Sequence, residues 1–153
     1  MNKPALQPSL KGRALRLLSQ REHSRLELER KLADHETEPG QLAKALDELQ
    51  ARGFISEERV IESVIHRRAG KLGTARVWQE LAAKGLSGEA VAAAVEQLRG
   101  TELARAREVW SRKFGAPATD PKEKARQIRF LVSRGFAAEV VRRVVQGGSD
   151  ELA

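Results

Sequence analysis

A glycine-lysine pair just ahead of a helical stretch is a common way to hold phosphate. Gly70-Lys71, with a second glycine at Gly73, has that form. A Walker A loop also needs glycine five positions before this pair and Ser or Thr after the lysine. Those positions hold Ile65 and Leu72, so no P-loop is read here. The same residues fit the short Gly-x-x-Gly pattern of KH-type clamps, but that fold needs a sheet the sequence does not offer. The remaining reading is a turn between two helices, Gly70 closing one and Thr74 capping the next. Its flanking cations, Arg67, Arg68, Lys71 and Arg76, are candidates for a phosphate-facing surface, the alternative being a solvated face.

A second constellation lies near the end of the chain. Arg126, Phe130 and Arg134 follow each other at i, i+4 and i+8, with Arg129 beside them. An aromatic ring between guanidinium groups suits stacking on bases and contact with phosphate. The alternative is that Phe130 packs against the neighbouring module while the arginines reach into water. Arg142 and Arg143 extend the same positive field. Other chemistry is scarce. His23, His35 and His66 share no spacing typical of metal ligands, and the absence of cysteine removes disulfides and thiol chemistry. No catalytic, cofactor-binding or metal-binding residue is nominated, and the expectation is a protein that is not an enzyme.

Helices must position these groups. Apolar residues recur at spacings of three and four along the whole chain, from Ala14, Leu17 and Leu18 to Val140, Val141, Val144 and Val145, with no convincing alternation of period two. Ser24 with Glu27 forms a capping-box pattern, and Asp120-Pro121 with Glu123 repeats its logic. Ser56, Thr74, Ser87 and Thr101 are further N-cap candidates, with Glu57, Glu89 and Glu102 in first turns. Gly53, Gly85, Gly100, Gly115 and Gly135 are expected to end helices.

The helical pattern also repeats. The stretch from Leu81 aligns without gaps on that from Leu131: Lys84 with Arg134, Gly85 with Gly135, Leu86 with Phe136, Val95 with Val145. "VIHRR" at 64–68 echoes "VWSRK" at 109–113. The expected fold is therefore all-α: nine helices in three tandem three-helix repeats, 1–55, 56–100 and 101–153, stacked into an elongated, curved rod.

Composition narrows the function classes. The 153 residues carry 28 Lys+Arg against 21 Asp+Glu, a formal net charge of +7, which fits a nucleic-acid partner and equally fits a protein whose charge serves only solubility. The excess is +2 in 1–55, +1 in 56–100 and +4 in 101–153. No apolar run is long enough for a membrane span, and "MNKPALQPSLKGR" lacks the apolar core of a signal peptide. A cytoplasmic address is expected by elimination, with an elongated monomer as the default state.

Several segments, in order and correctly spaced from about Ala14 to Val145, resemble the RecX family, the regulatory proteins of the bacterial RecA recombinase. They are "ALRLLSQREHSRLELERKL", "GFIS" at 53–56, "HRRAGKLGTARVWQELAAKGL", "RKFGAP" at 112–117 and "EKARQIRFLVSRGF". One departure follows "GFIS": the family usually has an acidic residue, an aromatic and Ala, where this chain has Glu57-Glu58-Arg59-Val60-Ile61. An aliphatic contact is expected to replace the aromatic one.

The resemblance implies three tandem three-helix repeats and a job in DNA repair, homologous recombination and the SOS response. Such a protein binds the RecA–DNA nucleoprotein filament and lowers its recombinase, ATPase and co-protease activities by blocking extension or promoting disassembly. Its partners would be the RecA filament and DNA, single-stranded first and double-stranded second. No membrane and no cofactor are implied. Candidate filament or DNA contacts, inferred from charge, are Arg67, Arg68, Lys71, Arg76, Arg126, Arg129, Arg134, Arg142 and Arg143. The competing reading is a helical protein that binds DNA directly and acts without RecA.

Overall fold

Several helix starts in this chain are set by side chains that satisfy amides left unpaired by the first turn. Ser24 Oγ accepts from the Glu27 amide at 3.2 Å while Glu27 Oε1 accepts from the Ser24 amide at 3.0 Å, the reciprocal box expected from the sequence. Asp120 accepts from the Glu123 amide at 2.8 Å ahead of Pro121, and Ser56 Oγ accepts from the Arg59 amide at 3.3 Å.

The computed structural model describes residues 7–147. The leader reading at Met1–Leu6 and the outer ends of the first and third expected repeats lie outside the described residues. Regular structure among the described residues is helical throughout: α1 (Leu10–Gln20), α2 (Arg25–Leu32), a 3-10 turn (Ala33–His35), α3 (Gln41–Ala51), α4 (Glu57–Arg68), α5 (Thr74–Ala83), α6 (Glu89–Lys113), α7 (Pro121–Ser133) and α8 (Ala138–Val145). None of these helices is long and apolar enough to cross a membrane.

Among the described residues eight α-helices stand where nine were expected. Gly100 and Thr101, expected as a helix end and a new N-cap, lie inside α6, which runs 25 residues. A lone glycine costs a helix interior only about 1 kcal/mol, and burial of Leu98, Glu102 and Ala106 around it outweighs that. Thr101 does not cap; its hydroxyl donates back to the Leu98 carbonyl at 3.2 Å. Thr74 is already helical, so it does not cap α5 either, and at α6 the N-cap position belongs to Gly88 rather than Ser87. Gly53, Gly85, Gly115 and Gly135 do close helices, each with positive φ.

The chain divides into two units, Met1–Val60 with Lys84–Leu86, and Ile61–Ala83 with Ser87–Ala153. In the first, α1, α2 and α3 pack mutually around Leu10, Ala14, Leu28, Leu32, Leu42, Leu46, Leu49 and Ile55. Arg25 on α2 fastens α3, reaching Asp47 at 2.7 Å and Gln50 Oε1 at 2.9 Å. In the second unit the C-terminal half of α6 packs with α7 and α8 around Ala106, Val109, Leu131, Phe136, Val141, Val144 and Val145. Buried Gln127 is satisfied at both ends, accepting from Trp110 Nε1 at 2.9 Å and donating to the Ala116 carbonyl at 3.2 Å. Val60 and Ile61, where the family pattern has an aromatic and Ala, are both buried.

The fifty-residue sequence repeat reappears in packing. In the first unit Gly85 abuts Leu26; in the second, Gly135 abuts Arg76. Each pair lies fifty positions from its counterpart. The second approach is tightened by Gly73, whose amide donates to the Arg134 carbonyl at 2.7 Å. A Cβ on Gly73 would overlap the Gly135 and Phe136 backbone, so only glycine fits there.

Candidate nucleic-acid interface

The turn between α4 and α5 is held from α6. Arg105 Nη1 donates to the carbonyls of Ala69 (2.9 Å) and Leu72 (2.6 Å), and Nη2 to Leu98 O (2.9 Å) and Thr74 Oγ1 (3.1 Å). Burial pulls this guanidinium's pKa down while the Glu102 charge opposes it, and so many acceptors suit a cation that water solvates only in part. One turn away, buried Glu102 accepts from the Thr74 amide at 2.7 Å and the Ala137 amide at 3.1 Å. One carboxylate thus caps α5 and α8 together, meeting the positive end of each helix. The sequence suggests Glu102 only as a first-turn acid, and Arg105 not at all.

This turn presents Lys71 to a shallow cleft of about 320 Å³. Lys71, Arg112, Lys113 and Arg134 line it with Gly70, Val109 and Phe130, and no carboxylate is among the lining residues. Arg112 Nη2 donates to the Gly70 carbonyl at 2.8 Å, which fixes the turn against the end of α6. The Arg134 guanidinium lies 4.6 Å from the Phe130 ring centroid and Lys113 Nζ 5.3 Å from it. Phe114 meets the ring edge-on at 5.4 Å and 89°.

Phe130 is half-buried and packs on the core of its own unit. With cations over the ring and an aromatic at its edge, it serves to hold charge in place rather than as an open platform for bases. Four cations with no acid suit phosphate, contacted without regard to base sequence.

The other nominated cations have varied surroundings. Arg67 and Arg68 share Glu80, at 3.6 and 2.9 Å, and so tie α4 to α5. Arg76 donates to the Ser133 carbonyl at 2.6 Å. Arg126 pairs with Glu123 at 3.2 Å and lies 5.6 Å from the Phe114 ring centroid. Arg129 and Arg142 are exposed, Arg143 is half-exposed, and none of the three lines the cleft. Of the nine, the structure joins Lys71 and Arg134 in the cleft and adds Arg112 and Lys113, which charge and spacing alone do not nominate. The signal for those two is the echo of "VIHRR" in "VWSRK", which aligns Arg67 and Arg68 with Arg112 and Lys113. Among the described residues no cluster of His, Asp and Glu could hold a metal ion.

Two family models match the chain: "RecX, first three-helix domain" over residues 11–49 and "RecX, third three-helix domain" over residues 101–145. A Regulatory protein RecX from Leptothrix cholodnii is 55% identical over 145 residues, covering 95% of this chain and 91% of the relative. Its namesake from Ralstonia nicotianae is 49% identical over 139 residues, covering 91% and 87%. The crystal structure of RecX from Lactobacillus salivarius superposes with a TM-score of 0.73 at 15% identity, covering 90% of this chain and 92% of that one. A second crystal structure, of regulatory protein RecX, gives 0.73 at 18% identity, covering 90% and 71%. With half the chain matched by the family models and relatives near 50% identity over almost all of it, the protein belongs to the RecX family.

Proposed function

We propose that this protein binds the RecA–DNA nucleoprotein filament and lowers its recombinase, ATPase and co-protease activities, by blocking extension or promoting disassembly. It acts as a cytoplasmic monomer in DNA repair, homologous recombination and the SOS response, and it is not an enzyme. Family membership supports the partner. The observation that carries the chemistry is the convergence of Lys71, Arg112, Lys113 and Arg134 without a neighbouring carboxylate, which suits the phosphates of the filament's DNA. Arg126, Arg129, Arg142 and Arg143 extend the field around it, and Arg67, Arg68 and Arg76 serve mainly to tie helices together.

The test is RecA assembly on single-stranded DNA, followed by light scattering with wild-type protein and with the double variant Lys71→Glu/Arg134→Glu. Shorter or shrinking filaments with the wild type, and little effect from the variant, are expected. Equal effects from both would remove the cleft from the mechanism. Salt-sensitive DNA binding with no effect on filaments would favour the direct DNA-binding reading.

A further inference from the structure

The second unit holds another concavity, larger and of different character. Trp78 on α5 and Val132 on α7 are large hydrophobic side chains left half in water, 51% and 50% exposed. Both line one groove of about 800 Å³, with Val95 and Val140 also on its wall. The accessible charge there is positive. Arg76 and Arg99 line the groove. Arg76 keeps Nη1 on the Ser133 carbonyl at 2.6 Å and offers its remaining N–H groups, while Arg99 has only a loose pair with exposed Glu96 at 3.6 Å, weak enough to be exchanged for a new partner. Glu102 also faces the groove, but its carboxylate is engaged by the Thr74 and Ala137 amides. The groove shares no lining residue with the Lys71–Arg134 cleft.

We infer that the groove around Trp78 and Val132 docks a protein segment bearing an apolar side chain flanked by carboxylates. The apolar side chain would seat between the indole and the three valines, and the carboxylates would meet Arg76 and Arg99. A half-exposed tryptophan beside aliphatic side chains, bordered by arginine, has the composition of an interface anchor. Nucleic acid fits poorly, because three valines offer its phosphates nothing and the run of cations it needs lies in the other cleft. In taking the segment to belong to the filament's recombinase subunits, the inference rests on the proposed function. It divides the labour: the cleft meets DNA, and the groove meets protein.

The experiment measures binding of fluorescently labelled protein to RecA filaments on single-stranded DNA, and to the bare DNA, for wild type, Trp78→Ala and Arg99→Glu. Trp78 is exposed, so helical circular dichroism should be unchanged in that variant. Expected are a loss of at least about tenfold in filament affinity for Trp78→Ala, a smaller loss for Arg99→Glu, and unchanged affinity for bare DNA. Unchanged filament affinity in Trp78→Ala overturns the inference alone. So does an equal loss on bare DNA, which would make the occupant nucleic acid. A wild-type dimer in sedimentation that Trp78→Ala abolishes overturns it in favour of a second copy of this chain. Wild-type protein that fails to bind filaments removes the proposed function and the inference with it.

Discussion

Buried polar side chains do much of the ordering in this small helical protein. Glu102 accepts from amides opening two helices that lie far apart in sequence. Glu102→Gln keeps the shape but offers one amide an N–H in place of an acceptor. Thermal unfolding should then record a loss of about 2 kcal/mol, the usual scale for a charge-assisted hydrogen bond.

Glu27 and His23 in the first unit both contribute to the acid limb of stability. Burial works to raise the Glu27 pKa, but Arg21, the Ser24 amide and Lys84 overcome it and hold the carboxyl at about 2. Its contribution is therefore present above the usual 4.5 and is lost as pH falls toward 2. His23 is 1% exposed, and burial lowers its pKa, with help from the Arg21 and Lys31 charges and against its hydrogen bond to the Arg21 carbonyl. Lys31 Nζ lies 3.1 Å from His23 Nε2, which identifies that nitrogen as the acceptor of a neutral ring. Below the usual 6.5 the unfolded chain takes up a proton that the folded one resists, so stability falls with pH. Denaturant midpoints should be lower at pH 5.5 than at pH 7.5 for the wild type, with a smaller drop for His23→Gln. Equal drops would assign the acid sensitivity elsewhere.

At the scale of elements, α6 shows where local signals give way to packing. Gly100 has no positive φ, and a Cβ there meets nothing within 4 Å. Gly100→Ala should stabilise the protein by about 0.5–1 kcal/mol, read as a higher melting temperature. Gly73→Ala should have the opposite sign and cost about 3 kcal/mol, because backbone rather than a flexible side chain would have to move. Nothing in the local sequence separates these two glycines. The helices themselves are legible, because the three-and-four periodicity and the Ser24 and Asp120 caps are local features. The fusion of two expected helices at Gly100 is not, since burial of Leu98, Glu102 and Ala106 outweighs a weak glycine preference. The cleft is half legible: charge nominates Lys71 and Arg134, but only the tertiary fold sets them beside Arg112 and Lys113. For Phe130 the sequence leaves two roles open. Its packing on the core between α6, α7 and α8, with Arg134 over the ring, favours the packing role.

For the whole molecule, the formal charge of +7 matters through where it is concentrated. Binding of single-stranded DNA should weaken with salt, and Lys71→Ala/Arg134→Ala should make the log–log slope shallower by about 1.4, roughly 0.7 for each phosphate no longer neutralised. An unchanged slope would mean that DNA lies elsewhere. Filament regulation asks more than DNA affinity, since binding repeated along a lattice of subunits persists when single attachments are weakened. The most direct measurement is the single-stranded-DNA-dependent ATPase of RecA from the same organism, titrated with this protein at two salt concentrations. Inhibition below one protein per recombinase subunit, persisting at salt that abolishes the protein's own DNA binding, is the expected result. No inhibition at either salt would contradict filament regulation and leave only the basic cleft as a DNA contact.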